Sequence, residues 1–487
     1  MTAFRALEHI WSLAGCDATA LDDIRLFGDD PGLPSVYRVG ALANATIGAA
    51  ALAAAEYHRL RTGCRQRVEV EQRRALAAFR SERYLRIDDG PPPQLRDPLM
   101  GFFETRDGRW IQLHTNFEHH RTGVVKLLGC KDDYASVSAA IRERNGASLD
   151  QALADAGLCA ALVRSPNEWA ALAQASALAS LPLFEIERID AAGNPDLGRA
   201  PLGRDAGNGA ASGRAATPCL SSVSAARPLS GVRVLDLTRI IAGPVAGRTL
   251  AQHGADVMLV NGPHLPNIAP LVIDNGRGKR SVFLDLRREA ERATLHALLQ
   301  DADVFLQAYR PGALAGHGFS PEALALAKPG IVYVSICAYG PIGPWAQRRG
   351  FDSLVQSASG IAWTEAQAAG TPAPKHLPCQ ALDHATGYLA AFGAMVALMR
   401  RATEGGSWHV KVSLAQTGRW LQSLGTLANG WRAPDVSMDA VRDLMQTMDT
   451  PFGKVLAVAP AETLSATPPR FERPSVPLGT NSPSWAA

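Results

Sequence analysis

PLSGVRVLDLTRIIAGPVAGRTLAQHGADVMLV, residues 228–260, contains two short apolar runs, VRVLDL (232–237) and ADVMLV (255–260), joined by the helix-like stretch PVAGRTLAQHG. Strands with no polar alternation are buried on both faces, as in a parallel sheet sandwiched between helices. The pattern recurs downstream in SVFLDL (281–286), ADVFLQA (302–308) and IVYVSI (331–336), with REAERATLHALLQ among the intervening helical segments. Strand and helix in strict alternation predict an α/β unit with a doubly wound, Rossmann-like parallel sheet. No G-x-G-x-x-G follows the first strand, so a dinucleotide reading lacks its phosphate loop.

Upstream the character differs. ALANATIGAAALAAAEYHRLRTG (41–63) is an alanine-rich helix, followed by QRVEVEQRRALAAF. FFETRDGRWIQLHTN (102–116) places Asp107-Gly108 between apolar runs, a hairpin signal. Residues 117–180 read as mainly helical, with Ser165 as a cap ahead of a proline. Residues 203–227, rich in Gly, Ala and Ser, read as a linker. The expected division is 1–95, a small α+β domain at 96–202, a linker at 203–227 and the Rossmann-like domain at 228–487.

Composition narrows the classes without naming one. The chain has 487 residues, 47% hydrophobic and 20% charged, with a formal net charge of +3. That balance is ordinary for a globular protein and too weak to argue for nucleic acid or an anionic membrane surface. No apolar run reaches the roughly 18 residues that would suggest a membrane span, and the first residues lack a signal-peptide core. Seven scattered cysteines, without C-x-x-C or zinc spacing, read as reduced thiols in a cytoplasmic protein with no metal site.

A repeat links the two halves. Shifted by about 340 residues, ALANATIGAAALAAA lies over ALDHATGYLAAFGAM: Ala41, Leu42, Ala45, Thr46, Ala50, Ala51 and Ala54 meet identical residues at 381, 382, 385, 386, 390, 391 and 394. After a two-residue slip, Val68 and Val70 meet Val410 and Val412. Asp383 then faces Ala43, so one copy carries an acid and the other does not.

From PLSGVRVLDLTRIIAGP to about residue 420 the chain resembles the family III CoA-transferases, the group of formyl-CoA and carnitine CoA-transferases. VLDLTRIIAGP, GADVMLV, GRGKRSVFLDLR, ADVFLQAYRPGAL, GFSPEALALAKPGIVYVSICAYGPIGPWAQRRGFDSLVQSASG and the helix opening with Asp383 come in that family's order. ETLSATPPRFERPSVPLGT resembles its closing segment. YHRLRTGCRQRVEV resembles its R-x-x-T-G-x-x-Q-x-V-x-V stretch, so residues 1–95 resemble a partial copy without the nucleophile. The resemblance implies the family III fold, CoA as a substrate with no permanently bound cofactor, an acyl-CoA donor, a small carboxylic acid acceptor and a homodimer.

It also places the nucleophile on Asp383. A carboxylate can attack a thioester, release CoA thiolate and take CoA up again as an aspartyl thioester, whereas a serine ester would be too stable to pass CoA on. Small residues at the helix mouth (Ala385, Thr386, Gly387) are expected to admit the pantetheine arm, and free first-turn amides to stabilise the oxyanion. The bland alternative for Asp383 is an N-cap. Ala242, Arg287, Tyr309, Arg310 and Arg349 match positions that approach CoA in relatives. Arg277, Lys279 and Arg280 form a nearby basic knot, Asp352 is expected to orient its neighbours, and Trp345 and Phe351 to wall the acyl end.

Several departures stand out. Asn261 replaces the usual acid of V-x-x-E, and QAYRPG stands for E-N-F-R-P-G. No run of glycines lies between 420 and 455 for a mobile loop. Two other readings follow, an inactive CoA-binding paralogue and an α-methylacyl-CoA racemase. The second requires two acid/base groups, yet Phe351 occupies the position where such enzymes carry His. His384, beside the acid, is expected at the surface or as a cap neighbour.

Overall fold

The structure, a computed structural model, describes residues 1–189 and 227–485; apart from Arg227, the expected linker at 203–227 lies outside these. The chain opens with α1 (Ala3–Leu13), β1 (Ile24–Phe27), α2 (Val39–Thr62) and β2 (Val68–Glu71). The hairpin forms as β3 (Gly101–Glu104) and β4 (Trp110–Leu113), with Gly108 in its turn at a positive φ of 70° that suits glycine. β5 (Ala160–Leu162) completes a three-stranded sheet against β4. Helices fill most of 118–179, and Ser165 forms a full capping box with Glu168.

β6 (Phe184–Arg188) precedes the Rossmann-like unit: β7 (Arg233–Leu237), α3 (Ala242–Gln252), β8 (Asp256–Asn261), β9 (Lys279–Phe283), β10 (Val304–Gln307), β11 (Val332–Cys337), α4 (Asp352–Ala358), α5 (Ala381–Glu404) and β12 (Trp408–Ser413). A late strand, β13 (Glu462–Leu464), follows. The large sheet runs β9-β8-β7-β10-β11-β12-β6, all parallel except the last. The order reverses between β7 and β10, and ligands of such sheets bind where the carboxyl ends of the strands part. β9 starts two residues before its apolar run. Lys279 can enter the sheet because Asp236 of β7 neutralises it at 2.7 Å.

The two alanine-rich helices are both 24 residues long and pack on each other in the core. Their following strands share a pattern. β12 lies between parallel β11 and antiparallel β6; β2 lies between parallel β1 and antiparallel β13. The registers match as well. Val410 and Val412 face Val334 and Ile336 on one side and Ile186 and Phe184 on the other. Val68 and Val70 face Ile24 and Leu26, then Leu464 and Glu462. Each half's last strand therefore crosses to the other half's sheet.

This crossing revises the expected boundaries. Residues 1–95 are not a separate unit, since α2 lies in the common core and β2 is bound by β13. β6, drawn from 96–202, belongs to the large sheet. α2 and α5 are also long and apolar enough to cross a membrane, against the sequence expectation, but both are buried along their length inside the fold. Cys64 is disulfide-bonded, not a reduced thiol, while Cys16, Cys130, Cys159, Cys337 and Cys379 are free.

Candidate active site

Asp383 is the third residue of α5, whose N-cap is Gln380. It therefore does not cap its own helix. Asp352, the first residue of α4, caps it from outside: the Oδ2 atom accepts the amides of Leu382 at 2.8 Å and Asp383 at 2.9 Å. These amides would otherwise be orphaned at a helix start. The expected free first-turn donors are thus occupied, and Asp352 fixes the backbone beneath the candidate nucleophile.

The small residues of α5 serve packing instead of ligand access. A Cβ on Gly387 would lie 2.5 Å from the Ala242 carbonyl oxygen and 2.8 Å from Val245 Cβ, so glycine lets α3 and α5 close on each other. Ala385 and Thr386 are wholly buried, and Thr386 hydrogen-bonds Thr417 at 2.7 Å.

Asp383 is only 6% exposed, yet it lines two cavities of about 370 and 490 Å³. The smaller opens at the sheet's reversal point, between the loop after β7 (Arg239–Ala242) and the one after β10 (Ala308–Arg310). Arg239, Arg310 and Arg349 all line it, and among the described residues none has a carboxylate partner. Three unneutralised guanidiniums in one cleft are fitted to phosphate groups. Ala242 and Tyr309 line the same cleft. Ile240 borders both cavities and has a φ of +75°, strained for a β-branched residue. Backbone strain of this kind collects at ligand-binding sites.

The larger cavity holds Glu82, Asp352 and Asp383 together with Arg83, Arg96, His114 and Phe351. Burial, then the nearby charges of Asp352 and Glu82, push the Asp383 carboxyl well above its ordinary range. Burial also raises Asp352 to about 6, opposed by the two amides and by Gln356. His384 is buried and stacked on Phe79, with Nε2 3.1 Å from Glu82 Oε2, so it is neither a surface residue nor a cap. His114 stacks on Phe351 at 3.9 Å, and burial lowers it to about 4, leaving a neutral ring.

The other expected contacts lie elsewhere. Arg287 is 61% exposed on its side chain, pairs with Asp285 at 2.7 Å and borders neither cavity. Arg277 and Lys279 are buried in ion pairs with Asp274 and Asp236, and Arg280 pairs with Asp256, so the basic knot is neutralised internally. Trp345 packs against Trp169 and Tyr339 outside both cavities, while Phe351 lines both. Sequence reasoning missed Glu82, Arg83, Arg96 and Arg239. The last stands within VLDLTRIIAGP and could have been flagged there; the first three lie in segments with no motif of their own.

With this geometry in view, the family model of CoA-transferase family III matches residues 27–193 and 229–443. The chain belongs to CoA-transferase family III. Similar curated proteins include an acyl-CoA transferase of Gibberella moniliformis, 33% identical over 331 residues, which are 64% of this chain and 54% of that protein. A probable fatty acyl-CoA transferase of Mycobacterium tuberculosis is 35% identical over 41% of this chain and 53% of its own length. A succinate–glutarate CoA-transferase of Agrobacterium fabrum is 31% identical over 38% and 51%. The chain spans about half the length of these curated relatives. A crystal structure of the M. tuberculosis protein superposes with a TM-score of 0.38 at 33% identity, covering 41% of this chain and 58% of that one.

Proposed function

We propose that the chain is a CoA-transferase that passes CoA from an acyl-CoA to a carboxylic acid through Asp383. The observation that carries this reading is the placement of one buried carboxylate at the junction of two cavities, one of them lined by three guanidiniums with no carboxylate partner among the described residues. CoA phosphates would lie on Arg239, Arg310 and Arg349, with the thioester reaching inward to Asp383.

A carboxylate oxygen of Asp383 attacks the thioester carbonyl, the C–S bond breaks, and CoA thiolate leaves with the electron pair. The product is a mixed anhydride. Thiolate then attacks the Asp383 carbonyl, displacing the donor acid as a carboxylate and leaving an aspartyl-CoA thioester. The acceptor carboxylate attacks that thioester, and the same two steps run in reverse. No water is consumed, and burial of Asp383 protects both intermediates from hydrolysis.

The matched registers of the two halves support a further part of this reading. The front half is a partial copy whose closing strand is exchanged with the back half, so the homodimer implied by the resemblance is replaced by an interlocked pair within one chain. Racemisation lacks a second base at position 351, which holds Phe351, and the neighbouring His114 is neutral with a low proton affinity.

Intact-protein mass spectrometry during turnover should show a CoA-sized adduct that hydroxylamine removes, mapping to the peptide of Asp383. Asp383→Ala should lose the adduct and on the order of 10³-fold or more in transfer rate while remaining folded. Wild-type exchange by that variant would overturn the assignment.

A further inference from the structure

The loop 338–351 joins β11 to α4, places Arg349 on the wall of the smaller cavity and delivers Asp352 to its position beneath α5. Arg349 is exposed and has no carboxylate partner among the described residues. What fixes the loop lies outside the Rossmann-like unit. Gln174, in the helix Ala173–Ala179, is 1% exposed and serves three backbone groups of the loop. Its Nε2 donates to the carbonyls of Tyr339 at 2.7 Å and Ile342 at 2.9 Å, while Oε1 accepts the Trp345 amide at 2.7 Å. One side chain thus pairs groups that the loop cannot pair within itself.

Asp150, buried in the helix Gly146–Asp155, holds the other end. Its carboxylate accepts the Leu162 amide at 3.0 Å, Arg164 at 2.7 Å and both terminal nitrogens of Arg348. The two guanidiniums also lie over the Trp345 ring, at 5.1 Å for Arg164 and 4.3 Å for Arg348. Arg348 borders the cleft as well, but its charge is spent on Asp150, so its neighbour Arg349 is the one left for a ligand. A guanidinium held in place beforehand loses less freedom when an anion arrives.

We propose that Asp150 and Gln174 are positioning residues for CoA: they dock the loop on the helices of 146–179 and so aim Arg349 at the nucleotide phosphates. The inference rests on the reading of the cleft as a CoA site, yet neither residue lines the cavities that Asp383 borders.

The test compares calorimetric binding of CoA with that of pantetheine, which lacks the nucleotide and its phosphates, in the wild type, Gln174→Met, Asp150→Asn and Arg349→Gln. Gln174→Met keeps the side-chain length and leaves no buried charge unpaired, so it decides the outcome should Asp150→Asn fail to fold. Gln174→Met should weaken CoA about tenfold, leave pantetheine unchanged and add nothing to Arg349→Gln when the two are combined. In turnover its loss should fall on KM for the acyl-CoA, with kcat as in the wild type. Equal weakening of CoA and pantetheine, additive losses in the double variant, CoA binding unmoved by Arg349→Gln, or a lower kcat overturns the proposal. Gln174-dependent CoA binding by a protein that forms no adduct on Asp383 would support the clamp and sink the transfer reading. An adduct in the wild type, with unchanged CoA binding in Gln174→Met, would sink the clamp alone.

Discussion

Burial and two neighbouring acids decide what Asp383 can do. Glu82 and Asp352 both act to keep its proton on, after burial itself. A more basic carboxylate is a better nucleophile once ionised, yet less of it is ionised at low pH. Glu82→Gln removes one of the charges that raise Asp383, so the acid limb of the pH–rate profile should move to lower pH, with a smaller rate at the plateau. A purely structural role for Glu82 would leave the limb in place. The same shifts bear on stability. Asp383 and Asp352 bind protons more tightly folded than unfolded, so their contribution falls as pH rises from the ordinary carboxylate range through the folded values, about 6 for Asp352. Asp383→Asn should therefore raise Tm at pH 8, and the gain should shrink toward pH 4. A gain independent of pH would refute that cause. At this scale the sequence exposed Asp383, Arg310 and Arg349 because they stand in motifs. Glu82, Arg83 and Arg96 were illegible because tertiary contact alone brings their segment to α5.

At the scale of elements, the approach of α3 to α5 holds the site together. Gly387 has no room for a side chain against Ala242 and Val245. Gly387→Val should destabilise the fold by about 1–3 kcal/mol through overpacking, visible as a lower Tm, and should spread the loop after β7 from Asp383. Asp352→Ala should also lower stability, by about 1–2 kcal/mol for a lost cap, and depress kcat. Asp352→Asn retains an acceptor oxygen and should recover most of the stability. If Asp352→Ala and Asp352→Asn melt together, the capping account is wrong. The five strands β7 to β11 of the large sheet were readable from apolar runs, because a sheet covered on both faces spells itself out, whereas β6, with its alternating acids, was not. The start of β9 was not, since only the partner Asp236 makes a lysine acceptable there. The roles of Ala385, Thr386 and Gly387 were misread for a related reason. Small side chains allow close approach by a ligand or by a helix, and the sequence does not distinguish the two.

For the molecule as a whole, β6 pairs with β12 of the large sheet and β13 with β2 of the front sheet, so each end of the chain is tied into the other's sheet. α2 is also capped from outside its own sequence: Asp30 accepts the amides of Gly40 at 2.9 Å and Ala41 at 3.3 Å. Ala43, opposite Asp383 in the repeat, is nonetheless fully buried, and a side chain on Gly40 would strike Gln72 and Asp30. Ala43 lines neither of the cavities that Asp383 borders. On the proposed reading, one working site per chain is expected, complete without a second copy. Light scattering should give a mass near 51.7 kDa, and quantitative trapping should saturate at one CoA per chain. Ala43→Asp would put an unpaired carboxylate into an apolar core, which costs several kcal/mol; it should lower Tm and leave the adduct at one. Two adducts per chain in that variant, or a wild-type chain that transfers CoA only as a dimer, would show that the front half is a competent partner and not a closed relic.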